Sequence, residues 1–472
     1  MIDAEVELSC RRPACPGALM SVIRPIASLL FVAVLVGLRA GDAADSRPNV
    51  LFLFTDDQRA DTIAALGNKH IKTPHLDRLT NEGFAFRNAY CMGSTRGAVC
   101  LPSRTMLHSG RSLFRLDDVE ERPHLGQTMR AAGYETWHLS KRGNTPHALH
   151  AAFEHSGYLN DREEREGGYA GRTGAGQAIE FLRSRDASRP FFMFLGFAGP
   201  HDPRGTNAEF RGLYDVDKIP LPVNYRPYHP FDNGEMLIRD EQLEAWPRTE
   251  EAVRRHLFDY YAMISHMDAQ IGRIFEELDR SGLWDDTLIV FSSDHGLAIG
   301  SHGLFGKQNL YEDGMKSPLV FLGPGIPHGK SEALAYLFDI YPTICDLTGT
   351  EIPDGLDGRS LAPVIHGERE SVRETVFLAY KNVQRAVRRG DWKLIRYPLV
   401  DVTQLFDLSA DPHELNNLAD GPAQAATVSE LMSLLEREQD RWSDPDPLHV
   451  DDPLPAEVDV ESFFDGDDNS KN

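Results

Sequence analysis

Cysteine is scarce in this chain, with five in 472 residues, and a fold stapled by many disulfides is thereby excluded. Cationic residues are outnumbered too. Against 72 Asp and Glu there are 49 Lys and Arg, a formal charge of -23, which rules out a protein that coats nucleic acid through a basic face. It leaves room for an anionic substrate held by a few buried cations. No repeat of fixed period is present, so solenoids and propellers are out. The apolar run at residues 26–38 falls well short of the ~20 residues that cross a bilayer, so stable membrane insertion is not expected. What is present is ordinary for a soluble globular protein: 41% hydrophobic and 26% charged residues. The length predicts one large domain with a smaller appendage.

Residues 20–44 have a short basic start (Arg24), the apolar run, and small residues at Gly41, Ala43 and Ala44. This is the layout of a secretory signal peptide, so residues 1–44 read as a leader with an N-terminal extension, and the protein as exported to a periplasmic or extracellular space. Removing the leader leaves Cys91, Cys100 and Cys345. An odd thiol in an exported protein calls for a special job for at least one of them.

From Asn49 the chain reads NVLFLFTDD, an apolar run ending abruptly in Asp56 and Asp57. A buried parallel strand that delivers ligands at its carboxyl end looks like this. TLIVFSSDHG, ending in Asp294 and His295, repeats the pattern after a helical stretch at residues 260–283, and PFFMFLGFAGPHDP carries His201 just beyond its end. Strands alternating with helices predict an open α/β sheet with its site along the strand ends. Residues 204–250, rich in Pro, Asn, Tyr and Asp, read as a long surface excursion. The catalytic domain is placed at 45–365. A small C-terminal α+β subdomain follows at 366–442, with short antiparallel strands and a helix near 427–441, and then an acidic, partly disordered tail at 443–472.

CLPSRTMLHSGR, from Cys100 to Arg111, carries the most chemical information. Pro102 suits the first turn of a helix, which puts Cys100 at a helix N-terminus, where the dipole lowers a thiol's pKa and attracts anions. Arg104 lies one turn on, on the same side. An isolated Cys-x-Pro-x-Arg could equally be a structural thiol at a helix cap.

It is not isolated. CLPSR resembles the maturation motif of the type I sulfatases, in which the cysteine is oxidised to formylglycine by a generating enzyme before folding is complete. The resemblance runs from about residue 49 to 418 through NVLFLFTDD, TPHLDRL, GPHDP, SSDHG, HGLFGKQNLYE and LFDLSADPHELNN. It implies an alkaline phosphatase-like α/β fold, a large, mixed, mostly parallel sheet sandwiched by helices with a small C-terminal antiparallel sheet. It also implies sulfate ester hydrolysis through formylglycine 100 and one Ca2+, with a sulfated small molecule or glycan as substrate. Asp56, Asp57 and Asp294 match the family's calcium carboxylates, and converging carboxylates need such a hard cation. Residue 100 is a further ligand, and His295 a ligand or its close neighbour. Lys141, His201 and Lys307 match cations and a proton donor around the sulfate and the leaving oxygen, where charge gathers as the S–O bond breaks.

One position departs from the pattern. Where the family has His two residues after the lysine, this chain reads SKRGN, with Gly143. Asn144, His147 or a histidine from elsewhere would have to take its place. Two other functions stay open at the level of sequence: a phosphomonoesterase or phosphonate esterase of the same superfamily, and a glycan-binding protein without turnover.

Overall fold

A computed structural model describes residues 47–459; the expected leader at 1–44 lies outside them. Among the described residues, thirteen strands form two sheets: β1 (Asn49–Asp56), β2 (Phe84–Tyr90), β3 (Gly93–Ser94), β4 (Glu135–Lys141), β5 (His155–Leu159), β6 (Phe191–Pro200), β7 (Thr287–Ser293), β8 (Lys316–Leu322), β9 (Gly329–Tyr336), β10 (Thr375–Tyr380), β11 (Gln384–Arg389), β12 (Trp392–Tyr397) and β13 (Val402–Asp407). The larger sheet has the order β5-β4-β6-β1-β7-β8-β2-β9, and β8 runs against the others. It is the mixed, mostly parallel sheet expected from the sequence.

All residues of β1 are buried because both faces of the sheet are covered. Val50, Phe52 and Phe54 pack into one core with Met106 and Leu107 of the helix Cys100–Ser109. Leu51 and Leu53 pack into the other, with Met263, Met267 and Ile271 of the helix Glu250–Arg280. The two-residue period of a strand thus divides one apolar run between two layers. The long helix begins ten residues before the expected position. Thr249 caps it by accepting from the Ala252 N–H, and Glu250 and Glu251 occupy its first turn, a start signal that composition alone hides among polar neighbours.

The segment 204–250 runs largely over the surface, as expected, but is anchored inside the fold. His229, Asn233, Asp240, Glu241 and Arg248 within it are buried. Glu241 accepts from Arg248 Nη2 at 2.7 Å and from the backbone N–H groups of Phe305 and Gly306 at 2.8 Å each, so polar composition here serves an internal network.

The smaller sheet, β13-β12-β11-β10-β3, is antiparallel except at β3, which pairs with β10 just upstream of Cys100. Its buried Lys393 donates to Glu312 at 2.9 Å and lies 2.8 Å from Glu414, tying β12 to the chain that follows Lys307. Lys393→Met takes from buried Glu414 its cation, while Glu312 keeps Arg388 and the Tyr90 hydroxyl. It is expected to lower unfolding stability in denaturant titrations by about 3–5 kcal/mol. The acidic end is packed at its start, since Arg385 binds Asp444 at 2.5 and 2.9 Å and Leu448 is buried, while residues beyond 459 lie outside the described part.

Behind the helix Cys100–Ser109 lies a layer of buried histidines, His108, His124, His138 and His150. The rings of His138 and His150 sit 4.7 Å apart, with Nδ1 atoms 2.8 Å apart, and His108 is 5.5 Å from His138. Burial pushes His108 down to about 3, His124 and His150 to about 4, and His138 well below its ordinary value. Each pKa is depressed on folding. Below about 6.5 the unfolded chain therefore takes up protons that the folded chain refuses, and stability falls as pH drops toward 4. The unfolding temperature is expected to decline steeply from pH 7 to pH 5, and His108→Phe to flatten that decline.

Candidate active site

Strand register assembles the site. Thr55 of β1 stands opposite Ser293 of β7, so the chain continues into Asp56 and Asp57 on one side and Asp294 and His295 on the other. Asp56 stands opposite Pro200 of β6, which brings His201 alongside. The helix Cys100–Ser109 then points its first residue at these strand ends.

The candidate residues converge. Cys100 Sγ lies 3.6 Å from Asp57 Oδ1, 3.2 Å from His295 Nε2 and 3.4 Å from Lys307 Nζ. Asp56, Asp57, Cys100 and His201, and likewise Cys100, Asp294 and His295, offer ligand atoms within 4.8 Å of one another, a grouping that could hold a metal ion. His295 Nδ1 lies 2.8 Å from the Gly296 carbonyl, which can only accept. Nδ1 therefore carries the proton, and the Nε2 lone pair faces Cys100 and Asp57 as a ligand's would. Asp56 Oδ1 is fully buried with no hydrogen-bond partner. Three carboxylates, one of them with an orphaned oxygen, and an imidazole lone pair suit a hard divalent cation.

Cations close the ring. Lys307 Nζ donates to both Asp57 oxygens at 3.1 Å and contacts His201 Nε2 at 3.1 Å. Arg104, wholly buried, donates from Nε to Asp294 at 3.2 Å and has its Nη2 3.8 Å from Asp56, while Nη1 is buried without a partner. Room for this guanidinium requires glycine at 196, where a Cβ would come 3.0 Å from Nη1 and 2.9 Å from the Ser140 Cβ. Lys141 Nζ is 3.4 Å from Asp56 Oδ2.

The electrostatics correct one expectation. Burial pushes the Cys100 thiol well above its ordinary pKa, and the Asp56, Asp294 and Asp57 carboxylates add to the rise, outweighing Lys307. A bare thiol here is a poor nucleophile. Burial also raises Asp57, yet His201, Lys307 and His295 together hold its carboxyl well below the usual range. Burial lifts Asp294 despite His295 and Arg104. For Lys307 burial favours the neutral amine, but Asp57, the Cys100 thiolate form and Asp240 keep it well above its ordinary value, as ammonium.

At the departure point, Gly143 has φ of +85°, a left-handed turn that a histidine would adopt only under strain. Asn144 comes into the site instead, donating to Asp56 Oδ2 at 2.8 Å. His147 does not: it is exposed, with Nδ1 3.4 Å from the Tyr158 hydroxyl. Unforeseen members of the site are Asp202, Arg239, Asp240 and Gln308, around His201 and Lys307. Gln308 stands in the HGLFGKQ motif; Arg239 and Asp240 lie in a loop with no local signal.

The chain matches the sulfatase family model over residues 48–350, and the C-terminal model of N-sulphoglucosamine sulphohydrolase over 300–441. An N-acetylglucosamine-6-O-sulfatase from Bacteroides thetaiotaomicron is 28% identical, over 85% of this chain and 88% of its own. A choline-sulfatase from Rhizobium meliloti is also 28% identical, over 84% and 87%. A solved structure in complex with its substrate, D-glucosamine-2-N,6-O-disulfate, superposes with a TM-score of 0.71 at 25% identity, over 85% of this chain and 99% of that one. A phosphonate monoester hydrolase of Agrobacterium radiobacter shares the fold, with a TM-score of 0.69 at 24% identity, over 84% and 96%. The sulfatase match covers more than half of the 472 residues. The chain belongs to the sulfatase family, within the alkaline phosphatase-like superfamily, and is a sulfuric ester hydrolase.

Proposed function

We propose that this enzyme is an exported, calcium-dependent sulfatase that removes sulfate from carbohydrates through formylglycine at position 100. The observation that carries the reading is the Cys100 thiol at a helix N-terminus, 3.4 Å from the Lys307 ammonium and 3.6 Å from a site carboxylate, yet with its own ionisation suppressed. Conversion by a formylglycine-generating maturase would replace this poor nucleophile by an aldehyde hydrate, and Sγ marks where its oxygens would sit. The hydrate supplies an oxygen that accepts the sulfuryl group and an aldehyde that can be regenerated. Calcium, held by Asp56, Asp57, Asp294, His295 and residue 100, would polarise sulfate and nucleophile.

The chain's own residues then divide the remaining work. Arg104, Lys141 and Asn144 hold the cluster and the sulfate oxygens in place by charge and hydrogen bonds. His201 Nδ1 contacts the Asp202 carbonyl at 2.7 Å and so carries a proton there, leaving Nε2 toward the Lys307 ammonium. As the bond from sulfur to the alcohol oxygen breaks, its electron pair goes to that oxygen, which takes a proton from the His201–Lys307 pair. Asn144 cannot accept a proton as the family histidine would, so the site must return that proton by another acceptor.

Sulfated carbohydrate is favoured as substrate by the relative named N-acetylglucosamine-6-O-sulfatase and by the neighbour solved with D-glucosamine-2-N,6-O-disulfate. Export rests on the leader-like residues 20–44; among the described residues no helix is long and apolar enough to cross a membrane. The test is release of inorganic sulfate from a panel of sulfated mono- and oligosaccharides by the matured enzyme. Activity confined to phosphate or phosphonate esters, with no sulfate released, would overturn the reading.

A further inference from the structure

Next to the leaving-group pair lies a chain of charged contacts that the chemistry above does not use. His201 Nδ1, besides its bond to the Asp202 carbonyl, is 3.3 Å from Asp202 Oδ1. Asp202 Oδ2 accepts from Arg239 Nη2 at 2.6 Å, and Arg239 Nη1 donates to Asp240 Oδ1 at 2.5 Å. Asp240 Oδ2 accepts from Gln308 Nε2 at 2.5 Å and lies 3.9 Å from Lys307 Nζ. Gln308 Oε1 in turn accepts from the Lys307 backbone N–H at 3.0 Å. One guanidinium therefore joins the far ring nitrogen of His201 to both the ammonium and the backbone of Lys307.

The burial of these groups is uneven in an informative way. The Asp202 and Asp240 side chains are 11% and 7% exposed, whereas Arg239 is 62% exposed. An exposed arginine on an exposed acid contributes little. Here both acids are buried and each touches one member of the leaving-group pair, so the arginine's fixed fork sets the spacing between them. Arg239 and Asp240 come from the irregular 204–250 loop, which gives that loop a part in positioning the leaving-group side.

We infer that Arg239, through Asp202 and Asp240, is the positioning residue of the leaving-group side and fixes where His201 Nε2 and Lys307 Nζ aim. The inference rests on the proposed role of those two groups at the departing oxygen. As the S–O bond breaks, that oxygen carries more charge the more basic the alcohol, and sugar hydroxyls are far more basic than nitrophenols. Misaiming the donors therefore costs little for a nitrophenol and much for a poor leaving group. Loss of mere scaffolding would slow every substrate alike.

The experiment compares matured wild type, Arg239→Ala, Arg239→Lys and Asp202→Asn on aryl sulfates of graded leaving-group basicity. In Arg239→Ala and Asp202→Asn the ratio of kcat/KM for p-nitrophenyl sulfate to that for phenyl sulfate is expected to widen at least ~10-fold, a fraction of what general acid catalysis supplies. Arg239→Lys, whose single ammonium cannot span both acids, is expected to fall between wild type and alanine. Thermal unfolding of each variant is measured beside the kinetics, because removing Arg239 leaves two buried acids with one partner fewer, and a general loss of fold lowers every substrate's rate without changing the ratio. An equal loss across the series, or no loss, overturns the inference. If wild type proves to cleave only phosphonate esters, the sulfatase reading fails by itself, and the same ratio read on aryl phosphonates still decides the role of Arg239.

Discussion

Cys100→Ala is expected to abolish sulfate release while leaving the fold intact. Residue 100 is the nucleophile precursor at the meeting point of the strand ends in this reading, and removing the group that forms a covalent bond to substrate costs on the order of 10⁶-fold in kcat. Alanine keeps the Cβ and the helical start, and the side chain lost makes its contacts through Sγ alone, to Asp57, His295 and Lys307. Deleting one sulfur from a site already crowded with charge should move the unfolding temperature only slightly. Sulfate release measured by ion chromatography, beside a thermal melt, separates the two effects. Retained turnover at even a hundredth of wild type would exclude a covalent role for residue 100.

The second large effect concerns the acids. Asp294 accepts from Arg104 Nε at 3.2 Å and from the backbone N–H of Asp57 at 2.9 Å, so it ties the acid cluster together by itself. Asp294→Ala should remove bound calcium and lower kcat/KM by at least ~10³-fold, because one carboxylate fewer leaves too few hard ligands and takes from buried Arg104 the nearer of its two acids. The isosteric Asp57→Asn provides the check on folding. It keeps the shape, loses one charge, and should weaken metal binding without the structural cost. Elemental analysis of dialysed proteins reads the stoichiometry, and wild type should fall to the level of Asp294→Ala after chelation and recover with added Ca2+. Full activity from enzyme shown to be metal-free would count against the whole donor set.

How much of this was readable in the residues themselves follows from the range of the interactions involved. Asp56, Asp57, Asp294 and His201 stand directly after apolar runs, and a buried parallel strand must end in polar groups at one edge of the sheet, so a local pattern carried long-range information. The adjacency of the three strands was not local, but it needed only their shared direction. For the Cys100 thiol the helix dipole is visible in CLPSR, whereas burial among Asp56, Asp57 and Asp294 depends on strands distant in sequence, Asp57 lying 43 positions away. Arg239 and Asp240 gave no signal, since an irregular loop has no period and its buried partners lie on Asp202 and Gln308. Gly143 was seen as a departure without its cause. Its setting is a backbone turn at φ +85°, beyond which Asn144 donates to Asp56.

The central claim is chemical and rests on the state of one side chain. Peptide mass spectrometry of the Cys100-bearing fragment, from the full chain coexpressed with a formylglycine-generating maturase, reads that state directly. The account predicts that the thiol is replaced by an aldehyde, trapped as a hydrazone, in a fraction of molecules that tracks specific activity across preparations. Active enzyme whose residue 100 is entirely unmodified cysteine would contradict it.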